Sequence, residues 1–134
     1  MKLITRETDY AIRALCFIAK SNEKITSVTL LVKGLGVPRP FLRKLLQILH
    51  KKGVLNSFKG LGGGFSLARD PKDIFVTDLM RIFQGAFCLN ECFLRKAICP
   101  HKGSCPLRKR ISKIEKYVLK ELFSINISSL IKER

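Results

Sequence analysis

Glycines at positions 60, 62, 63 and 64, set between two short strand-like runs, constrain the fold more than any other feature of the chain. Val54, Leu55 and Phe58 read as one strand, Lys59 to Gly64 as a turn, and Phe65 and Leu67 as the returning strand. The tip of such a hairpin carries few side chains. Its backbone can therefore approach a phosphate or a minor groove without interference from Cβ atoms, and Lys59 brings a cation to the same place. A nucleotide-phosphate loop would need a Gly-Lys-Ser/Thr ending and a passage from strand into helix, and this run has neither.

The residues before the hairpin give it a meaning. Ser27 is placed to cap a short helix that ends at Leu35, and Gly36 supplies the left-handed exit that helix C-termini favour. Pro38 and Pro40 are tolerated only around the first turn of the next helix. That helix is expected from Arg39 to Lys52, with Phe41, Leu42, Leu45, Leu46 and Leu49 facing inward and Gly53 ending it. Two short helices around a glycine turn, the second opening with cations, have the form of a helix-turn-helix, and the hairpin is its wing. A preceding amphipathic helix over Thr5 to Ala19 presents Ala11, Ile12, Leu15 and Ile18 to the core, with Thr8 or Asp9 expected to cap it and Ser21 and Asn22 to end it.

Charge agrees with that form. The chain carries 26 Lys and Arg against 10 Asp and Glu, a formal net charge of +16. No acidic residue lies between Glu23 and Asp70, a stretch that holds nine Lys and Arg. A segment of this kind attracts phosphates, whereas an ordinary solvated surface mixes both signs.

Beyond the wing, Thr77 is expected to cap a short helix with Leu79, Met80, Ile82 and Phe83 inward and Gly85 at its end. After a cysteine-containing stretch, Leu107, Ile111, Ile114, Val118, Leu122 and Ile125 form an apolar stripe at helical spacing. The stripe can pack on the first helix of the same chain, but a terminal helix this long is better used in pairing with its copy across a two-fold axis. The expected fold is mainly α: a winged helix-turn-helix with a small β-hairpin wing and a long C-terminal dimerisation helix. Its parts are a DNA-binding domain over 1–85, a cysteine-rich cluster-binding loop over 86–105, and the dimerisation helix and tail over 106–134. With 134 residues, 46% of them hydrophobic, the chain can bury one core but not two large ones. No apolar run is long enough to span a bilayer and the start lacks the core of a signal peptide, so a cytoplasmic protein without membrane contact is expected.

Four of the five cysteines lie at 88, 92, 99 and 105, and in a reducing compartment such crowding points to metal or redox chemistry before disulfides. Cys92, Cys99 and Cys105 are separated by six and five residues, in a stretch containing Pro100, His101, Lys102 and Gly103 that can wrap thiolates around one centre. Thiolates are the usual ligands of iron–sulfur clusters. A structural zinc site normally shows cysteines two to four residues apart, although Cys99, His101 and Cys105 form an alternative set. Cys16 falls within the apolar pattern of the first helix and reads as a core thiol.

The segments TDYAIRAL, GVPRPFLRKLLQILHKKGVL, KGLGGGFSLARDPKDI and CFLRKAICPHKGSCPLR together resemble the Rrf-type winged-helix transcription regulators, the family of IscR, NsrR and CymR. The resemblance spans nearly the whole chain. It implies a homodimer with crossed C-terminal helices, recognition helices in successive major grooves of an operator in double-stranded DNA, and wings in minor grooves. By position in the motif it places Arg39, Pro40, Arg43 and Lys44 of the recognition helix, and Lys59, Gly62 and Gly63 of the wing, against DNA. IscR has an acidic residue where this chain has Arg43, which implies a different base preference, since Arg reads guanine and a carboxylate accepts from cytosine.

The resemblance further implies an iron–sulfur cluster, two-iron or four-iron, on Cys92, Cys99 and Cys105, controlling DNA binding in response to redox state, nitric oxide or iron–sulfur supply. IscR-like members add a His three residues after the last Cys, where this chain has Arg108; NsrR-like members add a carboxylate from the first helix of the other subunit, which corresponds to Asp9. Asp9 is the expected further ligand, with Glu7, His101 and Cys88 as alternatives. A cluster-free regulator working through thiols or a partner protein is the second reading. An RNA-binding winged helix lacks aromatic platforms, since Tyr10 and Tyr117 lie on helices and most Phe fit core positions. A small electron carrier has no use for a wing and so much positive charge. Enzyme function finds no support, because the only histidines are His50 and His101 and no nucleophile–base pair is visible.

Overall fold

The first helix, α1 (Arg6–Lys20), starts at Thr5, whose hydroxyl accepts from the Thr8 N–H at 3.4 Å. Thr5 therefore takes the capping role expected of Thr8 or Asp9. Both of those lie inside the first turn, and Thr8 is fully buried. The computed structural model describes residues 2–87 and 105–132. The elements that follow α1 are α2 (Val28–Leu35), α3 (Arg39–Lys51), β1 (Leu55–Phe58), β2 (Gly64–Leu67), a 3-10 turn (Pro71–Asp73), α4 (Val76–Gln84), α5 (Pro106–Phe123) and α6 (Ile127–Lys132).

The punctuation around α2 and α3 works as its chemistry dictates. Ser27 Oγ accepts from the Leu30 N–H at 3.1 Å, and Gly36 leaves α2 in the left-handed region at φ 65°. Pro40 sits in the first turn of α3, where no intrahelical N–H is lost. Leu42, Leu45, Leu46 and Leu49 are buried on one face of α3, and Phe41 is half-buried at its edge. They join Ala11, Leu15, Leu31 and Leu79 in a core shared by α1, α2, α3 and α4.

The hairpin is antiparallel, with Leu55 opposite Leu67 and Phe58 opposite Gly64. It is anchored to the loop between α1 and α2. Thr26 exchanges two backbone hydrogen bonds with Phe65, at 2.8 and 2.9 Å, which gives the wing a third edge. This contact explains Gly64: a Cβ there would run into the Thr26 carbonyl. Likewise a Cβ on Gly63 would meet the carbonyls of Phe58 and Gly60, whereas at Gly62 it would meet nothing. Part of the glycine run thus serves the hairpin's own packing.

Two expectations for the second half need correction. Thr77 does not cap α4; the Phe75 N–H donates to Asp78 Oδ2 at 3.2 Å, and Thr77 is buried inside the helix. The apolar stripe also does not run on as one helix. The chain turns at Ser124, and Asn126 starts α6, its Oδ1 accepting from the Ser129 N–H at 2.7 Å while its own N–H donates to Ser129 Oγ at 3.1 Å. The α6 helix packs against α1 and the 3-10 turn. Two backbone bonds fasten the reversal, from Val76 N–H to the Ile125 carbonyl at 3.0 Å and from Ile127 N–H to the Ile74 carbonyl at 2.9 Å.

Along α5, Leu122 is buried beside Val76 and Met80, and Val118 packs against the same cluster. Toward the other end the stripe is open, with Leu107 67% and Ile114 50% exposed, and Tyr117 beside them 66% exposed. No described helix is long and apolar enough to cross a membrane.

Candidate nucleic-acid interface

The α3 helix offers one face to the core and the opposite face to solvent. Arg39, Pro40, Arg43 and Lys44 are all exposed on the outer face, as helical spacing from the buried leucines requires. Arg39, Arg43 and Gln47 follow one another at four-residue intervals and so form a row along the helix. Across from this row stands the wing. Between them lies an open cleft of about 550 Å³, bordered by Arg39, Arg43, Lys44 and Gln47 on one side and by Phe58 and Lys59 on the other.

None of Arg39, Arg43, Lys44 and Lys59 has a carboxylate at salt-bridge distance among the described residues. Arg39 is oriented instead by a neutral group, its Nη2 donating to Thr29 Oγ1 at 3.1 Å. Among the described residues their charges are therefore uncompensated by carboxylates, and they border a cleft whose wing side includes Gly60, Gly63 and Gly64. A polyanion satisfies such an arrangement by replacing its own counterions. At the wing tip Gly60 and Gly62 have positive φ, 88° and 75°, and Leu61 between them is fully exposed.

The residues expected to meet DNA are thus brought together, Gly62 and Gly63 included: Gly63 borders the cleft and Gly62 lies at the exposed tip. Sequence reasoning overlooked Gln47 and Thr29. The four-residue spacing from Arg43 signals Gln47, but nothing local signals Thr29, which reaches Arg39 only through the angle between α2 and α3.

The candidate cluster ligands are less gathered. Cys105 is half-buried at the N-cap of α5, while Cys92 and Cys99, with Cys88 and His101, lie outside the described residues. Asp9 lies half-exposed on α1, its Oδ1 accepting from Arg13 Nε at 3.1 Å. Among the described residues no three His, Cys, Asp or Glu side chains come close enough to hold a metal ion. Cys105 supplies a thiol that no side-chain capping bond engages, at a position leading directly into α5, and Asp9 keeps its second carboxylate oxygen for another partner. That donor chemistry is compatible with thiolate ligation completed by a carboxylate. Cys16 is a different kind of cysteine: it is packed against the core, and burial pushes its thiol up from the ordinary value against a smaller opposing pull from Lys20.

Comparison with known proteins agrees with this geometry. Residues 4–133 match the Rrf2 family, described as "Iron-dependent Transcriptional regulator". Protein aau3 of Rhizobium meliloti (strain 1021) is 31% identical over 132 residues, which covers 98% of this chain and 86% of that protein. The HTH-type transcriptional regulator NsrR of Bacillus subtilis (strain 168) is 28% identical over 132 residues, covering 91% of this chain and 90% of NsrR. Among solved structures, CymR, the global cysteine regulator of B. subtilis, superposes with a TM-score of 0.83 at 21% identity, covering 100% of this chain and 99% of that one. The family is one of transcription regulators and not of enzymes. With an exposed cationic helix, a glycine-built wing and a family match over nearly its full length, the chain belongs to the Rrf2 family of winged-helix transcription regulators.

Proposed function

We propose that this protein is a sequence-specific DNA-binding regulator that acts as a homodimer and whose hold on its operator is controlled by an iron–sulfur cluster. The observation that carries the DNA reading is the row of Arg39, Arg43 and Gln47 facing Lys59 and the wing glycines across a cleft whose cations have no carboxylate at salt-bridge distance among the described residues. In this reading α3 enters a major groove, where Arg43 reads base edges, and the wing follows the adjacent phosphates. Dimerisation uses the exposed part of α5, because Leu107, Ile114 and Tyr117 leave an apolar face uncovered within the chain.

Cys92, Cys99 and Cys105 would hold the cluster, with Asp9 of the second subunit as the further ligand. The cluster would supply a centre sensitive to oxidation and to nitric oxide. Cysteine spacing and the family's description support this assignment. The cysteine-bearing stretch leads into α5, so a change at the thiolates can reset the dimer and with it the spacing of the two α3 helices. A cluster-free regulator acting through its thiols is the second reading, favoured by the likeness to CymR.

One experiment separates the two. Protein purified without oxygen is examined by absorption spectroscopy and native mass spectrometry, then its affinity for one cognate duplex is compared before and after cluster removal at fixed salt. Added mass of iron and sulfide with a visible absorption band, together with a change in affinity, supports the sensor. Equal affinity with the cluster verified would defeat cluster control and leave the winged-helix assignment standing.

A further inference from the structure

Arg6 lies outside both the helix-turn-helix and the wing, yet its guanidinium is parked on the recognition helix. It sits 5.2 Å from the centroid of the Phe41 ring on α3 and 5.8 Å from that of Tyr10 on α1. The two rings meet edge to face, 5.7 Å apart at 87°, and make a rigid corner that receives the cation. Arg6 itself is exposed and has no carboxylate at salt-bridge distance among the described residues. Ring faces hold the cation without supplying an oxygen acceptor, and the guanidinium's fork of N–H donors matches a phosphate bidentately.

Position completes the inference. Phe41 lies in the first turn of α3 beside Pro40, and Lys44, three residues on, is its neighbour on the helix surface. Arg39, held by Thr29, marks the opposite border of the exposed face. A helix lying in a major groove has a sugar-phosphate strand along each flank. The cleft toward α2 and the wing serves one flank, and Arg6 stands at the other. We propose that Arg6 is a further DNA-binding residue, a backbone anchor that takes a phosphate on the flank of α3 away from Thr29. The inference rests on the DNA reading of α3 and the wing. The expected contact positions the helix without reading bases.

The test is the salt dependence of binding to a cognate and an unrelated duplex by the full-length protein and its Arg6→Ala, Arg6→Lys and Lys59→Ala variants. For Arg6→Ala, affinity should fall by the same factor on both duplexes, and the slope of log K against log salt should become shallower by about one unit. Arg6→Lys should keep the slope. An unchanged slope in Arg6→Ala, whether or not affinity falls, overturns the proposal and leaves Arg6 as a strut between α1 and α3. Lys59→Ala reports on the underlying reading: if it too leaves the slope unchanged, the failure lies with the DNA face as a whole and not with Arg6 alone.

Discussion

Gln84, the last residue of α4, closes the start of α1 by accepting from the Thr8 hydroxyl through Oε1 at 2.8 Å. The same oxygen takes the Thr5 N–H at 3.1 Å, and Nε2 donates to the Leu3 carbonyl at 3.0 Å. One side chain thus satisfies a buried hydroxyl and two backbone groups of the N-terminal segment. Gln84→Ala leaves the Thr8 oxygen buried with only Thr5 for company, and should cost about 1–3 kcal/mol. Denaturant unfolding checks this through a lowered midpoint, and the base preference of the variant in a selection experiment should stay that of the parent.

Gly64 and Gly62 look alike in the sequence and differ in space. Gly64→Ala drives a methyl group into the Thr26 carbonyl and should part the wing from the loop before α2, costing about 1–3 kcal/mol. Gly62→Ala meets open space and pays only for its left-handed φ of 75°, about 1 kcal/mol. Thermal unfolding of the two variants side by side should rank them in that order.

On the DNA face, Arg43→Ala should change which base is preferred at one position of each half-site. Lys59→Ala should weaken all duplexes alike and lower the salt slope by about one unit. Selection from a randomised duplex pool, followed by salt titrations on the winners, distinguishes them. Identical effects of both variants on every site would remove the division between reading helix and wing.

The dimer face is tested away from the internal packing of α5. Val118 and Leu122 belong to the cluster with Val76 and Met80, so charges there would damage the fold itself. Leu107→Asp combined with Ile114→Asp alters only exposed positions and should yield folded monomers in sedimentation velocity. A dimer that persists with both changes would place the interface elsewhere.

For the thiols, Ala at Cys92, Cys99 or Cys105 should abolish the visible absorption of protein prepared without oxygen, and Cys16→Ala should leave it intact. Because burial raises the Cys16 pKa, its thiolate is scarcer than that of an exposed cysteine at the same pH. Alkylation of Cys16 should consequently be slow in the folded protein, speed up as pH rises, and become fast on unfolding. Peptide mass mapping of the alkylated residue reads this directly.

Much of the winged core was legible because its signals are local. Ser27, Gly36, Pro40 and Gly53 act on the backbone within a few residues of themselves, and the leucines of α3 announce its inner face by spacing alone. Local signals mislead where distant groups compete for the same role. Thr8 spends its hydroxyl on Gln84 and leaves the cap to Thr5, and at α4 it is Asp78 and not Thr77 that reaches the Phe75 N–H. The break after α5 was announced by Asn126 and Ser129, a reciprocal cap overshadowed by an apolar spacing that happens to persist through Ile125. In the candidate site, cationic residues were readable from charge, but the neutral groups that orient them, Thr29 above all, depend on how α2 lies across α3.

The short α6 has a mechanical role. By folding back onto α1 and bonding to Ile74, it clamps the foot of α5 to the same body that carries the recognition helix. The 18-residue α5 then extends from that foot for about 27 Å at the usual rise per residue. Cys105 sits at the opposite end, as the N-cap residue. A small rotation about the foot sweeps the cysteine end through a large arc, and conversely a modest pull at the cysteine end exerts a long-armed torque on the body holding α3. Removing the clamp would cost stability as well as leverage, because Ile127 is fully buried in the core and Leu130 packs against it.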